Sequence, residues 1–106
     1  MTNANGRPSQ IQIFKRGGAY RVRPASQAAG KGTGVIFFNA TGTMVRLFFP
    51  DAIFEGANPV DIRADTSEEL TVNREQPLGV YPYVVYVVAD REFAAGESAP
   101  VIIIDR

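Results

Sequence analysis

Four cationic side chains, Lys15, Arg16, Arg21 and Arg23, gather in one short stretch with Phe14 beside them. Arginines flanking an aromatic ring on a β-ribbon could contact phosphates while the ring stacks on a base. Six carboxylates, Asp51, Glu55, Asp61, Asp65, Glu68 and Glu69, supply oxygen atoms of the kind hard cations take. Their spacing matches no EF-hand loop, and no pair stands apart as an acid and a base. Three phenols, Tyr81, Tyr83 and Tyr86, lie close together late in the chain. Beyond these groups the chain offers little chemistry, because it has no cysteine and no histidine. That excludes disulfides, a thiolate nucleophile, zinc ribbons and iron–sulfur clusters. It also excludes an imidazole base, a Ser-His-Asp arrangement and any histidine-ligated metal. The expectation is a non-enzymatic protein with no catalytic set, metal or cofactor.

Lys and Arg number 11 and Asp and Glu number 11, so formal charge is zero. A general polyanion binder usually carries a basic excess, so nucleic acid is not the expected partner. The basic hairpin then reads first as a solvated face that keeps other strands from adding to its edge. Zero charge also leaves little repulsion between copies, which favours association. No apolar run approaches the roughly 20 residues that cross a bilayer, so no membrane partner is expected. Residues 1–9 are polar and contain no hydrophobic signal region, and the expected compartment is the cytoplasm.

The elements that must position these groups are strands. At 106 residues the chain suits a single domain, with residues 1–8 as a flexible polar tail and 9–106 as the folded unit. Gly17-Gly18 separates two alternating runs, 10–16 and 19–24, and a two-residue type I′ turn needs positive φ at both positions. That turn sets Ile13 opposite Val22 and Lys15 opposite Tyr20, leaving Gln12, Phe14, Arg16, Arg21 and Arg23 on the other face. Further strands are expected at 34–39, 44–49, 59–63, 70–73, 77–90 and 101–105. One helical turn could follow Pro50, at 51–55, and 65–69 could be a turn or a short capped helix. About eight short strands without a run of helical period predict an all-β, antiparallel Greek-key sandwich.

Several of these strands resemble a known family in their order. Tyr20-Arg-Val-Arg-Pro24, Gly34-Val-Ile-Phe-Phe-Asn39, a Thr-Gly turn, Leu70-Thr-Val-Asn73 and Gly79-Val-Tyr-Pro-Tyr83 are similar to the succession in cupredoxins. The resemblance covers most of residues 19–105 and implies a cupredoxin-like sandwich. It does not carry the copper site. The family's first histidine falls at Met44, Val45 or Arg46, its cysteine near Val84 or Val85, and its second histidine at Val88, Ala89 or Asp90. Blue copper needs a thiolate and two imidazoles, so the resemblance implies a copper-free relative without electron transfer.

The strand 77–90 is apolar on both faces, with Tyr81, Tyr83, Val85 and Val87 alternating against Val80, Pro82, Val84, Tyr86 and Val88. A sandwich strand needs only one apolar face. Either residues 51–69 cover the second face or another chain does. Tyr83, Val85, Tyr86, Val87, Phe38 and Phe48 are therefore the candidate interface residues. The expected role is a protein-interaction or assembly module, with a homo-oligomer as the simplest form. A sandwich binding a small ligand or carbohydrate through loops 25–33, 40–43 and 90–100 is the alternative. Gly79 and Tyr81 have the spacing of a tyrosine corner, a structural role.

Overall fold

The structure, a computed structural model, describes residues 9–56, 58–94 and 99–106. The tail at 1–8 lies outside the described residues.

The first sheet has four strands in the order β2-β1-β4-β7, built from β1 (Ser9–Arg16), β2 (Ala19–Arg23), β4 (Gly34–Ala40) and β7 (Ser67–Thr71). Gly17 and Gly18 have φ of 59° and 82°, and the hairpin they close pairs Ile13 with Val22 and Lys15 with Tyr20, as alternation requires. The chain then leaves this sheet at Pro24 and enters the second layer as β3 (Ser26–Ala29).

That second layer is two pieces. One runs β3-β11-β8, with β8 (Gly79–Pro82) and β11 (Val101–Ile104). The other runs β10-β9-β5-β6, with β5 (Val45–Phe48), β6 (Val60–Ile62), β9 (Val84–Val87) and β10 (Glu92–Phe93). The expected strand 77–90 is thus divided at Tyr83 into β8 and β9. Pro82, which has no N–H to give a ladder, ends an edge strand.

Four sequence expectations change. The described residues hold eleven strands, because the expected loops 25–33 and 90–100 contain β3 and β10 and the expected strand 77–90 is two. Residues 51–55 make no helical turn. Ile53 and Phe54 point into the core, and Phe54 forms a bridge with Val72 across the sandwich end. Burying two large apolar side chains outweighs the local preference of a five-residue helix, too short to be stable alone. No capped helix forms at 65–69 either, since Asp65 takes a φ of 60° in a turn and β7 begins at Ser67. The pairing is also mixed, because β1 with β4 and β3 with β11 run parallel. Crossing between layers at Pro24 returns the chain beside β1 in the same direction, which a hairpin could not do.

Inward side chains of both layers make one core, centred on Phe37, Phe49, Phe54 and Tyr83. Phe37 meets Tyr83 edge-on at 5.7 Å and Phe54 at 5.9 Å, the geometry ring quadrupoles prefer.

Candidate functional site

Strand alternation and register decide what occupies the end where the family resemblance would put copper. Val45 on β5 lies opposite Val87 on β9, and Leu47 lies opposite Val85. All four are buried. The carbonyl of Met44 accepts the N–H of Val88. Asp90 accepts a hydrogen bond from the phenol of Tyr20. Among the described residues no cluster of His, Cys, Asp or Glu could hold a metal ion. This donor set does not fit blue copper: packed valines stand where soft sulfur and imidazole nitrogen are needed.

The same end is organised by Asn39, the one fully buried polar side chain among the described residues. Its amide nitrogen donates to the carbonyls of Thr43 at 2.7 Å and Ile62 at 2.9 Å. Its amide oxygen accepts from the N–H of Thr41 at 3.0 Å and the Thr41 hydroxyl at 2.7 Å. The carboxamide thus joins the β4–β5 turn to β6. Sequence reading passed over this role, although an Asn ending a strand before Thr41-Gly42-Thr43 is a turn signal with side-chain capping capacity.

The candidate interface residues divide. Tyr83, Val85 and Val87 are at most 2% exposed and face the core, so they are corrected from interface to core. Alternation left open which face turned inward, and pairing of β9 with β5 settled it. Burial pushes the Tyr83 phenol well above its ordinary range. Phe38 points outward, but from the first sheet, so it is parted from Phe48 and Tyr86 by the whole core. Tyr86 and Phe48 remain on the outer face of the β10-β9-β5-β6 sheet.

Cross-strand neighbours on that outer face form a row, Phe93–Tyr86–Arg46–Asp61. Phe93 packs against Tyr86 with ring centres 5.0 Å apart and planes tilted by 53°, and Arg46 makes a two-pronged ion pair with Asp61 at 2.6 and 3.1 Å. Val84 lies opposite Phe48 in the next row. Exposure reaches 62% at Val80, 60% at Phe93, 58% at Leu78 and 38% at Phe48. The described residues of 51–69 therefore do not cover this face. Leu78 and Phe93 were not singled out by the sequence, because turn and loop positions give no burial pattern; Val80 was placed on the second face of its strand but not among the interface residues. At the foot of β8 the Tyr81 hydroxyl donates to the carbonyl of Pro77 at 2.6 Å, the corner expected from Gly79-x-Tyr81.

The basic hairpin also divides. Lys15 lies beside Tyr20, its ammonium 5.0 Å from the ring centre. Arg16, Arg21 and Arg23 share the opposite, outer face. Arg23 stacks on Phe14 at 4.3 Å, while its Nε and Nη2 both donate to Gln12 Oε1, at 3.1 and 3.0 Å. A groove of about 460 Å³ runs between Gln10, Gln12, Arg23 and Pro24.

No family model and no curated protein matches this sequence. Solved structures do match its fold. A purple cupredoxin from Nitrosopumilus maritimus aligns with a TM-score of 0.55 and 17% identity, over 92% of this chain and 99% of the other. An oxidised amicyanin variant aligns with a TM-score of 0.59 and 12% identity, over 92% and 82% of the two chains. A reduced amicyanin variant gives 0.59 and 11%, over 98% and 88%. The fold is cupredoxin-like, and the chain has none of the cysteine and histidine a blue-copper centre uses.

Proposed function

We propose that this cupredoxin-like chain is a copper-free, non-enzymatic assembly module that docks on a second copy of itself through the outer face of β8, β9, β5 and β10. The observation that supports this is the uncovered apolar surface of Phe93 and Phe48, which lie opposite Tyr86 and Val84, together with exposed Val80 on β8 and Leu78 just before it. An apolar patch of this kind on a small protein marks an interaction site. A recess of about 350 Å³ beside Val84, Phe93 and Pro100 adds relief to it.

Charge favours a second copy as the occupant. Each row ends in Arg46 and Asp61, one of each sign, and the whole chain is neutral, so two copies meet without net repulsion. A twofold axis along the strands reverses the row and sets Tyr86 against the partner's Arg46, a cation–π contact of about 1 kcal/mol. Isologous packing of this kind leaves no open face to polymerise.

Sedimentation velocity across micromolar concentrations tests the reading. The expected result is a dimer that Val80→Lys or Phe93→Ser converts to monomer with an unchanged thermal transition. A native chain that stays monomeric at roughly hundred-micromolar concentration, where a weak dimer would be visible, removes the proposal.

A further inference from the structure

Zero net charge hides a strong difference between the two outer faces. On the first sheet, β1 and β2 turn Phe14, Arg16, Arg21 and Arg23 outward, and β4 adds Phe38. Among the outward positions of the paired registers the only carboxylate is Glu69, on the far edge strand β7. Cationic charge and half-exposed aromatic rings thus share one side of the sandwich, remote from the apolar docking face.

We infer that this face binds single-stranded nucleic acid. Arg23 is the anchor. Its guanidinium lies on Phe14 and spends Nε and one Nη2 hydrogen on Gln12, so the plane is held before any ligand arrives. Its other face remains for a base and its Nη1 edge for a phosphate, the two contacts arginine makes well. Arg21 projects from the same face two residues along the edge strand, roughly 6–7 Å away at the usual rise per residue. Neighbouring phosphates of an extended strand can reach both. Gln12 is flanked in register by Arg23 and Phe38, so one row offers guanidinium, carboxamide and ring in turn. A ring on an open sheet stacks an unpaired base, and side-chain amides can meet its edge. A shallow, open depression of about 460 Å³ at Gln10, Gln12, Arg23 and Pro24 lies beside this anchor. A duplex hides its base faces and cannot use the rings.

The test is fluorescence anisotropy with a labelled oligothymidylate of about 12 nucleotides, within the footprint of single-strand binders, against a duplex of equal length, at low and raised salt. The expected result is binding of the single strand, weakened by salt, with the duplex at least tenfold weaker. Arg23→Ala and Arg21→Glu should each cost tenfold or more. Arg23→Lys should fail to restore affinity, because an ammonium keeps the charge but not the plane. Phe38→Ala should cost about tenfold, the scale of one lost base stack. Thermal melts verify that each variant is folded. The inference is overturned if no binding occurs, or if the Arg21→Glu/Arg23→Glu double variant binds as the native chain does. It also fails if heparin binds as tightly as the oligonucleotide and Phe38→Ala affects neither, which would leave an unselective basic patch.

Discussion

The buried phenol of Tyr20 donates its hydrogen bond to the carboxylate of Asp90, 70 residues further along the chain. The bond ties the β1–β2 hairpin to the turn after β9. In the family's order of motifs that turn carries a metal ligand; here it is closed by a tyrosine and a carboxylate.

The Tyr20 phenol is pushed up to about 12, first by that hydrogen bond, then by burial and the charges of Asp90 and Glu92. Burial raises Tyr83 as well. Phenols of the unfolded chain ionise near 10. The folded state therefore keeps these protons longer, and its stability declines as pH rises from about 10 towards and beyond 12. Absorbance titration of the native protein should show two late-ionising phenols, one lost in Tyr20→Phe. Asp90→Asn should bring the Tyr20 transition down.

Asn39→Leu should destabilise the chain by about 3 kcal/mol, because the carbonyls of Thr43 and Ile62 lose their donor in a buried place. Asn39→Asp should cost a comparable amount, since a carboxylate there cannot donate. Urea unfolding measures both. A loss under 1 kcal/mol would mean that the β4–β5 turn holds without its carboxamide.

Tyr83→Glu and Val80→Lys should behave oppositely. Tyr83 is enclosed by Phe37 and Phe49, and a charge there should cost over 4 kcal/mol and unfold the domain. Val80 is 62% exposed, and its change should leave the melting temperature within a few degrees. Differential scanning fluorimetry separates the two.

Removing the Arg46–Asp61 pair should matter little to stability. The hydrogen bond from Arg46 holds the Asp61 carboxyl below its usual range, with burial opposing. That contribution is present above the unfolded carboxyl value near 4 and is lost as pH falls through the lower folded one. Both side chains are over a third exposed, so solvent screening leaves only a small contribution. Arg46→Ala should show this difference in urea melts at neutral pH, and the gap should close in acid. The same variant should weaken self-association more than it weakens the fold.

Much of the architecture was legible before folding. Two glycines with alternating flanks dictated a hairpin register, because only residues free of a Cβ enter positive φ cheaply in both turn positions. Missing cysteine and histidine close blue-copper, thiolate and imidazole chemistry by composition alone. Gly79 and Tyr81 announced the corner that the Tyr81–Pro77 bond completes. The candidate interface was legible only in part. Period two separates Val85 from Tyr86, yet the pattern is equally apolar on both faces and carries no mark of which is inside.

Tertiary structure decided that question, through partners distant in sequence. Pairing with β5 turned Val85 and Val87 inward and Tyr86 outward, and the change of sheet at Tyr83 put its ring in the aromatic core. Phe38 and Phe48, alike in sequence, were sent to opposite outer surfaces because β4 and β5 belong to different layers. Arg23 found Phe14 and Gln12 only once the hairpin had closed. Local composition sets which side chains alternate and which chemistry is absent, since both follow from residue type and backbone geometry. The side that meets water is chosen by the strand that arrives from elsewhere, because burial is a property of the assembled layers and not of any segment within them.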